Sequence, residues 1–129
     1  MDLSEHDVEL LTGTNVGHFA TIMADGSPQV SPIWVDSKDG LILVNTAEGR
    51  LKLRNVRRDP RVALSVVSKD DPYDVLIVQG RVVEITREGA DAHIDKLVNR
   101  YEGKERFGRY RPERFLLKIL PERISHRTS

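Results

Sequence analysis

No cysteine occurs in the 129 residues. That absence removes disulfide frameworks, thiolate zinc sites, iron–sulfur clusters and cysteine nucleophiles together. Aromatic residues make up only 5% and the formal net charge is zero, so neither a base-stacking nor an extended basic surface is available for nucleic acid. No apolar run approaches the ~20 residues that cross a bilayer. The opening MDLSEHDVEL is acidic where a secretory signal is basic and then apolar. The expectation is a cytoplasmic protein with no membrane or nucleic-acid partner. His6, His18, His93 and His126 show no paired ligand spacing and read as surface histidines, with no metal site. No Gly-x-Ser-x-Gly elbow, Walker loop or dinucleotide fingerprint is present either. What is there, 39% hydrophobic and 31% charged residues, suits one globular domain over residues 1–129.

Ser4 followed by Asp7 marks the start of a short helix. GHFATIM (17–23) reads as a strand, Asp25-Gly26 as a turn, and PQVSPIWVD as the returning strand. Asp39-Gly40 turns the chain into LILVNT (41–46), a continuous apolar run suited to a buried strand. Strands follow at 61–68 and 75–86, where Gly80 marks a bulge or a close backbone approach. In the next helix Ile94, Leu97, Val98 and Tyr101 share a face, and Gly103 ends it. A last strand, RFLLKIL (114–120), is expected to stop at Pro121. About six mostly sequential strands with few helices predict a mainly β fold: a small antiparallel barrel with flanking helices, or alternatively a flat α+β sheet.

One stretch concentrates charge. GRLKLRNVRRDP (49–60) holds Arg50, Lys52, Arg54, Arg57 and Arg58 between Gly49 and Pro60, the punctuation of a helix of about two and a half turns. Arg50, Arg54, Arg57 and Arg61 recur near helical spacing, as on a solvated face, and Arg58 is placed to pair with Asp59. The alternative is a phosphate corner, because a strand end, the loop TAEG and a helix N-terminus carrying Arg50 and Lys52 assemble free N–H groups and cations. Pro28 and Pro32 in one strand imply an edge or bulged strand. Trp34 is either a core anchor or a pocket wall.

The order ATIMADGSPQVSPIWV, LILVNTAEGRLKLRNVRRDPRVALSV, VQGRVVEI and RYRPERFLLKILPERIS resembles the pyridoxamine 5′-phosphate oxidase-like split β-barrel family, in its deazaflavin-dependent reductase branch. The resemblance implies a homodimer with a phosphate-bearing flavin or deazaflavin at the interface and no side-chain catalyst. It assigns phosphate to Arg50 and Lys52, with Asn55 and Arg57 supporting that corner. Gln29, Val30, Ser31 and Pro32 would run beside the ring, faced by Asn45 and Thr46. Tyr73 would cover the ring from the partner chain, and Gln79 would be a ring contact or a buried partner for backbone groups. The implied activity is hydride transfer between coenzyme F-420 and a small electron-poor organic acceptor. An FMN enzyme of the oxidase branch and a non-catalytic flavin- or haem-binding module are the rivals. PERISHRTS lacks the Arg/His substrate motif of a true pyridoxamine phosphate oxidase.

Overall fold

The computed structural model describes residues 2–126. Helix α1 (Glu5–Thr12) begins at a reciprocal cap, in which the Asp7 N–H donates to Ser4 Oγ at 3.1 Å and the Ser4 N–H donates to Asp7 Oδ2 at 2.9 Å. The strands are β1 (Gly17–Ile22), β2 (Pro28–Ile33), β3 (Asp36–Lys38), β4 (Leu41–Ala47), β5 (Arg61–Val67), β6 (Val75–Thr86) and β7 (Arg114–Ser125). Helix α2 (Leu51–Arg58) joins β4 to β5, and α3 (Ala90–Glu102) joins β6 to β7. All strands belong to one antiparallel sheet in the order β2-β1-β5-β6-β7-β4-β3.

The connectivity dictates how the sheet bends. Its two edge strands, β2 and β3, are joined by Trp34 and Val35 alone, and three Cα–Cα steps of ~3.8 Å span no more than about 11 Å. Laid flat at ~4.8 Å spacing, seven strands would hold those edges about 29 Å apart. The sheet must therefore curl until its edges nearly meet, leaving a barrel split along one seam.

Alternation along the strands sorts the two faces. Ile42 and Val44 on β4, and Leu117 and Ile119 on β7, point inward to the main core with Phe19, Leu64, Val66, Leu76 and Val78. Leu43 and Leu116, one residue out of phase, point outward and are covered by Ala90 of α3. The run LILVNT is continuously apolar because both of its faces are covered. Leu53 and Val56 of α2 and Leu10 and Leu11 of α1 close the inner core.

One expectation is refined, the strand count, and one corrected, the end of the last strand. The sheet has seven strands because β3, the three residues DSK, pairs with β4 through Asp36–Leu43 and Lys38–Leu41. Such a short polar strand carries no hydrophobic period. The last strand runs through Pro121 to Ser125, since Pro121 lies opposite Gly80 where the β6–β7 register shifts, and an interrupted ladder tolerates a residue without an N–H. Gly80 is both the bulge and the close approach, because a Cβ there would collide with the Leu120 carbonyl oxygen. Gly80→Ala is expected to lower stability by about 1–3 kcal/mol through overpacking, read by denaturant titration; an unchanged midpoint would show that β7 yields freely.

Candidate functional site: a cation-lined cavity at the β4–α2 corner

Strand β4 ends at Ala47, Gly49 takes φ +90° to reverse the chain, and α2 starts with Arg50 as its N-cap. The Arg50 side chain makes no capping bond, and the first N–H groups of a helix have no intrahelical acceptor. Arg50 and Lys52 face a cavity of about 450 Å³ together with Arg114, the first residue of β7. Its walls include Pro32, Trp34, Asn45, Thr46, Leu97 and Phe107, a volume and lining that suit a small organic ligand.

None of the three cations, Arg50, Lys52 and Arg114, has an ion-pair partner among the described residues, whereas Arg57 bonds Glu48 at 2.9 Å and Arg61 bonds Asp59 at 2.7 Å. Burial, then the charges of Arg50 and Arg114, pull the Lys52 ammonium below its ordinary value. Burial, then Arg50, likewise lowers the Arg114 guanidinium, partly offset by Asp91. Thr46 Oγ1 in the cavity wall is buried without a hydrogen-bond partner. Such a donor set favours an anion, which would relieve the mutual repulsion.

Trp34 stands on the link between the two sheet edges. Its ring stacks on Tyr101 at 5.2 Å and 13°, and the Tyr101 hydroxyl donates to the Asn15 carbonyl at 2.6 Å and accepts the Val35 N–H at 3.2 Å. The helix α3 therefore fixes the link by which one cavity wall is held.

The residues expected from the sequence separate into three groups. Pro32, Asn45, Thr46, Arg50 and Lys52 meet at the cavity. Gln29, Val30 and Ser31 belong to edge strand β2 beside it, with Val30 61% exposed, Ser31 Oγ buried without a partner, and Gln29 accepting from the Thr21 hydroxyl. The other four lie apart from the cavity within their own chain. Asn55 is 1% exposed and donates to Thr21 Oγ1 at 3.0 Å, anchoring α2 to β1. Arg57 is engaged by Glu48 and by the Phe115 ring at 5.0 Å. Tyr73 is 90% exposed in the β5–β6 loop. Gln79 lines a separate apolar concavity on the outer face of β1, β5 and β6.

Arg58 donates to the Ile22 carbonyl at 2.7 Å and to Asn55 Oδ1 at 2.9 Å, while Asp59 is taken by Arg61, so the Arg58–Asp59 pair is corrected. His93 is buried, 8% exposed, and not a surface residue; it stands three residues after Ala90 and four before Leu97, in register with the apolar stripe of α3. Arg114 was missed because a cation opening a strand is usually solvated. Among the described residues no three His, Cys, Asp or Glu side chains gather as a metal site, and no helix is long and apolar enough to cross a membrane.

An antiparallel barrel split along one seam, with a cation-lined cavity at a strand-to-helix corner, defines the class. The family model described as pyridoxamine 5′-phosphate oxidase matches residues 3–128, and the chain belongs to that family. A solved F420 reductase is 33% identical, with a TM-score of 0.81 over 91% of this chain and 94% of that one. A conserved hypothetical protein from Mycobacterium tuberculosis is 26% identical, with a TM-score of 0.73 over 95% and 82% of the two chains. An FAD-binding protein from Mesorhizobium loti, 24% identical with a TM-score of 0.68 over 100% and 97%, shares the fold.

Proposed function

We propose that this chain is a homodimeric reductase that exchanges a hydride between the deazaflavin coenzyme F-420 and a small electron-poor organic acceptor. The observation that carries the reading is the convergence of Arg50, Lys52 and Arg114, none with an ion-pair partner among the described residues, on a cavity walled by Trp34 and Pro32. A phosphate-bearing planar cofactor matches that combination of cations and flat apolar walls, and the likeness to an F420 reductase favours deazaflavin over FMN.

Arg50, Lys52 and the first N–H groups of α2 would hold the phosphate. Trp34 and Pro32 would flank the ring and exclude water from it. The bound cofactor supplies the hydride, and no side chain of the cavity is assigned as proton donor; solvent or a bound water fills that role. The outer edge of β2 has no strand partner among the described residues, and Val30 stands exposed on it. A second copy would cover that edge and close the cavity by two-fold symmetry, bringing Tyr73 and Gln79 toward the neighbouring site.

Trp34 is the sole tryptophan and lines the cavity, so its fluorescence reports binding. Titration with the deazaflavin coenzyme is expected to quench it at concentrations at least about tenfold below those FMN requires. The reverse order would give the site to an FMN enzyme, and tight binding without oxidation of reduced coenzyme by any nitro or enone acceptor would leave a binding module. Light scattering should give twice the chain mass. Val30→Lys is expected to return the monomer mass and weaken quenching; a wild-type monomer in saturating coenzyme would refute the interface.

A further inference from the structure

Arg114 differs from the other two cations in how it is held. Its Nε–H donates to Asn45 Oδ1 at 2.9 Å, and its guanidinium lies over the Phe107 ring, 5.1 Å from the centroid. Phe107 is itself fastened by its N–H to Asp95 Oδ1 at 2.8 Å. The terminal nitrogens of Arg114 have no partner among the described residues.

Behind Asn45 the polarity of every bond is determined. Because Oδ1 accepts from Arg114, Nδ2 must be the group that donates to the Ala90 carbonyl at 2.8 Å and to His93 Nδ1 at 3.2 Å. His93 Nδ1 is then an acceptor, and Nε2 carries the proton toward Asp36 Oδ2 at 3.1 Å. Asp36 is fully buried and is also bonded by Arg100 at 3.0 Å and Lys96 at 3.2 Å. Four side chains thus form one directed chain, each donating to the next from Arg114 at the cavity through Asn45 and His93 to Asp36 beneath α3.

We infer that Arg114 is a pre-oriented, bidentate oxyanion ligand of the cavity, and that Asn45, His93 and Asp36 are the positioning residues that aim it. This rests on the anionic-cofactor reading above and adds the means by which the cavity selects a planar-fork partner over a point charge. With Nε engaged and one face covered, the guanidinium offers only its outer edge, where two parallel N–H bonds meet two oxygens of one phosphate or carboxylate. Both ends of the Asn45 amide are engaged, so what Asn45 presents to the cavity carries no free polar group.

Inorganic phosphate titrated against Trp34 fluorescence tests this, with melting temperature recorded for each variant. Arg114→Ala and Arg114→Lys are both expected to weaken phosphate by about tenfold, because lysine keeps the charge and loses the fork. Asn45→Ala should cost about fivefold in the wild-type background and nothing further in Arg114→Ala, the signature of action through Arg114. His93→Leu should resemble Asn45→Ala. His93→Gln, which retains an acceptor and a donor, should return affinity to within about twofold. An equal loss for Asn45→Ala in both backgrounds, or no rescue by glutamine, would overturn the positioning chain. If Arg50→Ala abolishes phosphate binding while Arg114→Ala leaves it intact, this inference fails and the cofactor pocket stands. A wild-type chain blind to phosphate would overturn both.

Discussion

Asp36→Ala is expected to lower the melting temperature by about 10–20 °C. Removing one partner of a buried ionic cluster typically costs about 3–5 kcal/mol, and each kcal/mol moves the midpoint of a domain this size by roughly 3–5 °C. Asp36 is 0% exposed and neutralises Arg100, Lys96 and the proton-bearing side of His93, so its loss leaves those donors facing an apolar alanine. Burial alone would raise its pKa. The hydrogen bonds from His93 and the Ser37 backbone, with the charge of Arg100, outweigh burial and hold the carboxyl well below the usual range. A depressed carboxylate stabilises fully above its unfolded value near 3.8 and progressively less as pH falls below it. Thermal unfolding of Asp36→Ala should therefore lose part of the acid sensitivity seen in the wild type between about pH 4 and 2. Glu48→Ala breaks an exposed pair with Arg57 and should cost under about 1 kcal/mol. Equal losses in the two variants would remove Asp36 from the core of the fold.

Arg50→Ala and Lys52→Ala are each expected to weaken coenzyme binding by about ten- to a hundredfold, since a charge-assisted hydrogen bond contributes roughly 1.5–3 kcal/mol. Neither should lower the melting temperature of the free chain, because each removes a cation that the others repel. Lys52 sharpens the contrast. With its folded pKa below the ordinary 10.5, the native state binds fewer protons than the unfolded one in that interval, so the free chain gains stability as pH rises through it. A bound anion reverses the trend by favouring the ammonium. Arg54 is exposed and has no ion pair among the described residues, and Arg54→Ala should change affinity by less than about twofold. Arg58 is a poor control, because its bonds to Ile22 and Asn55 hold α2 to β1. Three similar losses across Arg50, Lys52 and Arg54 would describe a diffuse basic face and no clamp.

The parts of the fold that were legible are those in which one residue type has one physical use. Ser4 and Asp7 formed the expected cap, and Asp39 and Gly40 take φ +54° and +79° in the expected turn. Gly103 ends α3 at φ +71°. The barrel itself followed from sequential strands with polar turns. The site was legible only where backbone and charge coincide, at the β4–α2 corner. Polar residues turned inward left no trace in composition: Asn55 reads as a polar helix residue and His93 as the wet flank of an apolar stripe, yet both are satisfied inside by partners 34 and 57 residues away. Arg114 belongs to the cavity only because β7 pairs with β4, a long-range pairing that no local pattern announces.

That pairing also governs the order in which the molecule can assemble. Strand β7 lies between β4 and β6, and its ladder with β6 is the longest pairing of the sheet among the described residues. Until it docks, both neighbours expose open hydrogen-bonding edges, the outer face under α3 is unbacked, and the third cation of the cavity is missing. Any partly folded form without β7 therefore has open strand edges and an incomplete cavity, and edge-to-edge association competes with closure. Closure through pairings so distant in sequence is expected to make folding slow relative to a fold built of local contacts.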